Sequence, residues 1–231
     1  ITMTGASKNL IGASNTLPNL TIDGIAASVT ATGSDFTVSG TLTVGGDDTL
    51  TIAASRTVTA SATIALSGTL TGSGTLVIPD TSSGPSTTGT LSSVVRYDAT
   101  AADIATSTID ARAYGGLVEI YSNSTVARTV TLAIATSTPY NFNGGLHLIA
   151  ATTGNLTLAG AANNPTVNVG STSGNLDFTV TGAGTEIITS GTGTWTVSGS
   201  VDFTGGTYTA TGGNTLRMNG AIKNYIYIHL H

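Results

Sequence analysis

The sequence predicts an all-β protein. Three observations support this: alternating apolar and polar residues, many β-branched side chains and frequent glycine-containing turns. Apolar residues recur at every second position, as in Leu50 and Ile52 or Leu146 and Leu148. A period of two places such residues on one face of a β-strand. Thr and Val suit a pleated strand because their branched Cβ atoms restrict χ1.

Short segments rich in Gly, Asn and Asp separate the predicted strands. Examples are Gly45-Gly46-Asp47-Asp48, Gly72-Ser73-Gly74 and Gly212-Gly213-Asn214. These residue types tolerate the positive φ that tight turns require. The strongest helical candidate, residues 98–108, lacks a wide apolar stripe. We therefore expect a loop, or at most one helical turn, in that segment.

The composition argues against several classes of protein. Only 8% of the 231 residues are charged and the formal net charge is −5, so no basic patch is present to bind nucleic acid. The sequence contains no stretch of about 18 uninterrupted apolar residues, so it predicts no membrane-spanning helix. Cysteine is absent, which excludes disulfide bonds and thiolate metal ligands. Because the chain begins at Ile1, we expect either a removed signal peptide or an excerpt of a longer chain.

Internal repeats indicate the domain organisation. Residues 1–11 match residues 216–226 at six of eleven positions without a gap, and residues 36–44 (FTVSGTLTV) resemble residues 195–203 (WTVSGSVDF). Such self-similarity is typical of repeat architectures. We predict one continuous β-repeat region over residues 1–231. Residues 79–89, rich in Pro and Ser, are the expected loop break.

Three segments carry a resemblance to a known group of proteins: residues 17–24 (LPNLTIDG), 35–44 (DFTVSGTLTV) and 67–78 (SGTLTGSGTLVI). Their residue pattern resembles that of the repeat regions of bacterial and archaeal cell-surface proteins, including the passenger regions of autotransporter and haemagglutinin-type adhesins. The resemblance implies a β-solenoid or stacked β-units, an extracellular or cell-surface location, and a mechanical or adhesive role. It carries no catalytic residues to this chain.

Two all-β architectures remain open at this point. In a parallel β-solenoid, each coil pairs with the next coil and like residues stack in ladders. In tandem antiparallel β-sandwich units, short glycine turns would close hairpins. The irregular spacing of the turns favours the solenoid.

Residues that could support metal binding or catalysis have plainer structural explanations. His229 and His231 share a predicted strand face without a third ligand nearby, and His147 between Leu146 and Leu148 is expected to point outward. The pair Asp47-Asp48 lies in a turn that lacks the repeated glycine–aspartate pattern of calcium sites. The acids of the irregular segment, which a glycosidase could use in pairs, are interpreted as solvated loop residues: Asp98, Asp103 and Asp110. We predict no enzyme activity, no metal and no cofactor.

Two further groups of residues remain. Trp195 takes the position of Phe36 in its repeat, so we expect it to pack in the core or at the interface between repeats. Asn19, Asn123 and Asn155 begin N-x-S/T sequons and are candidate glycosylation sites.

The chain termini are the predicted assembly interface. The segment Asn224–His231 alternates strictly and contains no Gly, Pro or charged residue, so as a free strand it would invite pairing with another chain. The predicted interface residues are Ile1, Met3, Tyr225, Ile226, Tyr227, Ile228 and Leu230. We expect a structural subunit of an extracellular filament, sheath or surface stalk that binds copies of itself head to tail. The alternatives are an adhesin passenger that binds a surface or glycan ligand and, less favoured, a polysaccharide-active β-helix enzyme.

Overall fold

The computed structural model describes residues 1–12, 15–85, 88–104, 109–132, 138–160, 164–170, 176–180, 184–202, 206–209 and 215–219. These ranges contain 28 β-strands and no helix. Every strand pairing among them is parallel. The fold is therefore a parallel β-solenoid. The antiparallel sandwich is wrong, because no hairpin pairing connects neighbouring strands of the described chain.

The N-terminal half winds through three sheets in turn. Sheet A contains β1 (Thr2–Met3), β4 (Leu20–Ile22), β7 (Thr41–Val44), β10 (Thr63–Leu66) and β13 (Ser83–Pro85). Sheet B contains β2 (Lys8–Gly12), β5 (Ser28–Gly33), β8 (Thr49–Ile52), β11 (Thr69–Thr71) and β14 (Thr90–Leu91).

Sheet C runs through both halves of the solenoid. It contains β3 (Thr16–Leu17), β6 (Phe36–Val38), β9 (Thr57–Ala60), β12 (Thr75–Pro79), β15 (Val94–Asp98), β17 (Val118–Ser122), β20 (Leu146–Ala150), β23 (Leu176–Val180) and β26 (Val201–Asp202). Each coil thus contributes one strand to this face.

Sheets D and E take over the other two faces in the C-terminal half. Sheet D contains β18 (Arg128–Thr131), β21 (Leu156–Ala159), β24 (Glu186–Thr189) and β27 (Gly206–Thr209). Sheet E contains β16 (Ala113–Tyr114), β19 (Tyr140–Phe142), β22 (Val167–Val169), β25 (Thr194–Val197) and β28 (Thr215–Met218). The solenoid has three faces. Along its axis, the first face consists of sheet A followed by sheet D, the second consists of sheet B followed by sheet E, and the third consists of sheet C. A hydrogen bond from Gly115 N–H to Leu91 O (2.7 Å) joins sheet E to sheet B.

The coil lengthens along the axis. In the N-terminal half a side chain bonds to the next coil 22 residues away, as Asn19 does to Thr41. In the C-terminal half the separation reaches 30 residues, between Asn155 and Thr185. The added residues fall between the strands, and among the described pairings the register shifts only where β10 pairs with β13. This variable corner length explains why no single period is visible in the sequence.

The core is one cluster of inward-facing residues contributed by all three faces. Val58, Leu76, Val95 and Val118 follow one another along sheet C and are all buried. Farther along, the filling becomes aromatic: Tyr97, Tyr114, Tyr140, Phe142 and Trp195 are among the largest buried side chains. Trp195 packs edge-on against Tyr208 with ring centroids 6.0 Å apart, so its predicted place in the core is confirmed. Buried apolar surface of this kind is the dominant favourable term in folding.

Corner residues tie consecutive coils together. The side-chain oxygens of Asn19, Asp35 and Asp103 each accept a backbone N–H from the following coil, at 2.7–2.8 Å. Gly40 is required at another corner because a Cβ there would collide with the Pro18 carbonyl oxygen. The paired repeats at 36–44 and 195–203 are both strand–corner–strand modules, with Ser-Gly at the corner. The first module runs from sheet C to sheet A, and the second runs from sheet E to sheet C. The sequence repeat therefore marks a strand–corner–strand unit and not one fixed position in the coil.

The predicted loop break at residues 79–89 stays largely within the coil. Ser83–Pro85 forms β13 on sheet A, and Ser82 donates a side-chain hydrogen bond to Ala60 O at 2.6 Å. Residues 86 and 87 lie outside the described ranges. In the segment 98–108, for which we expect a loop or a single turn, Asp98 ends β15 and Ile104 forms an isolated bridge with Val130. Residues 105–108 lie outside the described ranges.

Candidate functional site

The acidic turn at Asp47-Asp48 is a structural brace. Asp48 is buried and accepts the N–H of Ala27 at 2.6 Å and that of Gly24 at 3.2 Å. Asp47 accepts the N–H of Ala26 at 2.9 Å. Both carboxylates are thus occupied by the turn of the preceding coil. Each carboxylate therefore has a structural role in joining the two turns.

The three acids of the irregular segment have different surroundings. Asp98 accepts the N–H of Thr100 within its own turn, and Asp103 braces Thr129 in the next coil. Asp110 is partly buried, and this desolvation raises its pKa although the nearby Arg112 guanidinium acts in the opposite direction. Each acid therefore has its own structural setting.

The histidine predictions divide into two cases. His147 lies on the outer face of sheet C between two buried leucines, as predicted. Along that outer face it falls in register with Glu119 on one side and Asp177 on the other. His229 and His231 lie outside the described residues. In the described part of the chain, no group of three or more His, Asp or Glu side chains could hold a metal ion.

The outer face of sheet C carries the structure's clearest surface ion pair. Arg96 Nε lies 2.7 Å from Glu119 Oε2, and its guanidinium carbon lies 4.7 Å from the centre of the Tyr121 ring. These three residues occupy adjacent strands, β15 and β17. The arrangement joins neighbouring coils.

A buried tyrosine network was not predicted from the sequence. The hydroxyls of Tyr97 and Tyr114 are 2.9 Å apart, and Tyr114 also donates to Asp110 O at 2.9 Å. Burial raises the pKa of both phenols. Tyr140 donates to Ile109 O at 3.3 Å. Hydroxyls that are buried and hydrogen-bonded in this way are suited to fixing the positions of the core side chains.

The sequon asparagines are all exposed. Asn19 and Asn155 use their Oδ1 atoms to accept backbone N–H groups of the next coil, from Thr41 at 2.7 Å and from Thr185 at 3.1 Å. The backbone N–H of Asn123 donates to Thr100 Oγ1 at 2.9 Å. Glycosylation at these positions stays a prediction.

The N-terminal end of the solenoid is an incomplete core. Met3, Leu10 and Leu17 come from the first strand of sheets A, B and C, respectively. Their ladder neighbours Ile22, Ala31 and Val38 are buried, whereas the three end residues are only partly buried. On each face, the first inward residue of the described chain is therefore less covered than the residue that follows it in the ladder.

Exposed apolar side chains concentrate at the same end. Ile1 is 59% exposed, Ile11 75% and Ile25 94%, and at the opposite end Met218 is 40% exposed. Val126 is the one other large apolar side chain in the described ranges that is similarly exposed. Of the predicted interface residues, Ile1 and Met3 lie at this edge, whereas Tyr225, Ile226, Tyr227, Ile228 and Leu230 lie outside the described residues. The partly covered Leu10 and Leu17 were missed, since their end position is visible only once the coils are stacked.

None of the described residues forms a helix long and apolar enough to cross a membrane. Comparison with protein-family models, with curated protein sequences and with solved structures found no match to this chain.

Proposed function

We propose that this protein is a structural subunit of an extracellular filament, sheath or surface stalk, which assembles head to tail through β-strand contacts. The observation that carries the proposal is the uncovered core at the N-terminal end, where Met3, Leu10 and Leu17 are only partly buried. A second copy that continues the coil would cover these side chains and pair the free edges of β1, β2 and β3.

The direction of the strands supports assembly into an open fibre. All described strands are parallel, so the two ends of the rod are different surfaces. A contact between unlike ends is heterologous and repeats without closing when successive copies share one axis. The extracellular location rests on the resemblance to repeat regions of surface proteins. The low charge, together with Thr-rich outer faces, suits a rod whose task is mechanical.

A charge placed in the uncovered core tests this proposal. Leu10→Asp would put a carboxylate at a position that is partly open in the single copy but buried in the joint. Burial of an unpaired charge costs several kcal/mol, so fibres seen by negative-stain microscopy should be lost while the circular dichroism of the monomer is retained.

Val126→Asp is the matched control, because Val126 is exposed at mid-rod, away from both ends. This variant should form fibres like the parent chain. Normal fibres from Leu10→Asp would contradict the proposal. Short single rods from the parent chain that bind a glycan surface would instead point to an adhesin.

A further inference from the structure

The outer face of sheet B carries two ladders of hydroxyl side chains. Strands β5, β8, β11 and β14 stack in parallel, and the residues that alternate with their buried core residues point outward. The first ladder consists of Ser28, Thr49, Thr69 and Thr90, and the second consists of Thr30, Thr51 and Thr71. The two central strands, β8 and β11, thus each present two threonines on either side of a buried leucine.

Among the described strands, only sheet B has two such ladders without a break. On sheet A, Thr43 is followed in its ladder by Ala65. On sheet C, Thr59 is followed by Val77 and then by Arg96. Sheets D and E mix hydroxyl residues with aliphatic or amide residues at their outward positions. The paired hydroxyl ladders are therefore a property of one face of the rod and not of the whole surface.

The ladder hydroxyls are available to molecules outside the protein. Thr90 is exposed, and the other ladder residues are half-buried by their neighbours in the stack. In the described contacts, none of these hydroxyls makes a hydrogen bond to another protein group. Branching at Cβ restricts the χ1 angle of threonine. The face therefore holds free donors and acceptors in an order that is set before any ligand binds, which lowers the entropic cost of binding.

The array has the dimensions of a crystalline water lattice. Adjacent strands lie about 4.8 Å apart, and alternate residues of one strand lie about 6.6 Å apart. Hydrogen-bonded oxygens lie about 2.75 Å apart, so two neighbours of one tetrahedrally bonded water lie about 4.5 Å apart and the layers of such a network repeat about every 7.3 Å. Each spacing of the array thus lies within about a tenth of a spacing in ice.

The charge of the face fits a neutral crystal. Strands β5, β8, β11 and β14 contain no charged residue, whereas the outer ladder of sheet C includes Arg96, Glu119 and His147. A charged side chain would have to give up its own hydration shell to contact ice, at a high cost in free energy. Of the large apolar side chains that the described ranges expose, Ile11 alone lies on a strand of sheet B, at its first level. The face therefore lacks the apolar anchors that dominate protein–protein interfaces.

We propose that the outer face of sheet B binds the surface of ice crystals. The threonine hydroxyls take the places of water oxygens at the crystal surface, where each can donate to one lattice water and accept from another. The methyl groups between them are removed from liquid water at the same time, which adds a favourable term. This activity uses a side of the rod and is independent of the head-to-tail assembly proposed above, which uses its ends.

Two measurements on the parent chain test the proposal. In a frozen sucrose solution held just below its melting point, the protein should keep the ice grains small. During slow growth of an ice layer from a stirred solution, the protein should become enriched in the ice, as absorbance of the melted layer will show. A parent chain that is excluded from the ice and leaves grain growth unchanged would refute the proposal.

Substitution in the centre of the array locates the binding face. Thr51→Tyr places a ring over the second ladder, and tyrosine is well suited to a β-strand, so circular dichroism and the Tm should stay close to those of the parent chain. The concentration needed to stop grain growth should rise by at least about tenfold, because even the loss of about 1.4 kcal/mol has this effect. Thr71→Tyr, on the neighbouring strand of the same ladder, is a second variant that should give the same result.

Thr43→Tyr is the matched control. Thr43 is the third residue of β7, as Thr51 is of β8, and it is half-buried on the outer face of sheet A. This variant should inhibit grain growth like the parent chain. An equal loss from Thr43→Tyr and Thr51→Tyr, or full activity of both folded sheet B variants, would show that sheet B is not the binding face.

Further outcomes separate this inference from the alternatives. Binding of the parent chain to microcrystalline cellulose and not to ice, with loss of that binding in Thr51→Tyr, would overturn the assignment of ice in favour of a crystalline polysaccharide. Negative-stain microscopy of the same samples reports on the assembly. Normal fibres without activity on ice would overturn this inference alone, whereas activity on ice without fibres would support it and overturn the proposed function.

Discussion

Glu186 and Ala150 are joined inside the solenoid by a hydrogen bond of 2.8 Å, in which the Ala150 N–H donates to Glu186 Oε1. The Glu186 side chain is buried on the inner face of sheet D, and its second oxygen has no hydrogen-bond partner. Desolvation by burial raises the pKa of this carboxyl, although the backbone hydrogen bonds act in the opposite direction. A carboxyl group thus occupies a position that its ladder neighbour Leu156 fills with an apolar side chain.

The first prediction concerns pH. Because the folded-state pKa of Glu186 is raised above its unfolded value, its contribution to stability is fully present below the ordinary pKa of about 4.3. It is lost as the pH rises through the folded-state pKa. Glu186→Gln should therefore raise the Tm at neutral pH and leave it nearly unchanged at pH 4. Thermal unfolding across that pH range measures the effect.

Glu119→Gln is the control for the pH experiment. Glu119 forms a partly buried ion pair with Arg96, so its carboxylate has a cationic partner that the Glu186 carboxyl group lacks in the described contacts. This variant should not gain stability at neutral pH. A Glu186→Gln variant whose Tm falls equally at both pH values would show that the carboxyl group is a net stabilising element.

The second prediction concerns the tyrosine network. Tyr114 bonds to both Tyr97 and the Asp110 carbonyl, whereas the described contacts give the Tyr97 hydroxyl a bond to Tyr114 alone. Tyr114→Phe should therefore cost more than Tyr97→Phe, because it leaves a buried hydroxyl unpaired, a penalty of about 1–3 kcal/mol. Denaturant unfolding of both variants measures the difference. Equal losses would mean that the network does not depend on Tyr114.

The third prediction concerns the corner glycines. Gly40→Ala should destabilise the protein because the new Cβ would meet the Pro18 carbonyl and the Asn19 side chain. Gly46→Ala is the matched change in open space, with no atom within 4 Å of its Cβ. It should be neutral or slightly stabilising, since alanine restricts the unfolded chain. Comparison of the two Tm values tests the close approach, and equal values would refute it.

The fourth prediction concerns the acidic turn. Asp48→Ala removes the acceptor of the Ala27 and Gly24 N–H groups, and we expect a loss of about 2 kcal/mol or more. Added calcium should shift the Tm of neither the parent chain nor the variant. A calcium-dependent Tm rise that Asp48→Ala abolishes would restore the metal interpretation.

Much of the fold is predictable from local pattern. Leu50 and Ile52 were predicted inward by alternation alone, and they are buried. Gly and Asp residues correctly marked corners, because those positions need unusual backbone angles or side-chain acceptors. The inward position of Glu186 could not be predicted, because alternation with Ile188 places it inside while its charge argues for solvent. Only the tertiary packing decides between these two local signals.

One part of the candidate assembly joint can likewise be predicted from the sequence, and another part is visible only in the structure. The matching ends and the strict alternation of residues 224–231 are visible in the sequence, and they predict assembly. Only the stacked coils show that Leu10 and Leu17 are partly exposed. These two residues are apolar like their buried ladder neighbours, and they differ from them only in their position along the solenoid axis.

By itself, the sequence determined the strand type, the inward and outward positions and the corners, because these depend on neighbours one or two residues away. The tertiary structure decided which residues share a ladder, since Asn19 meets Thr41 across 22 residues and Asn155 meets Thr185 across 30. The length of each corner sets those partners, and local alternation carries no information about it. Parallel pairing, the tyrosine network and the uncovered end all follow from this non-local choice.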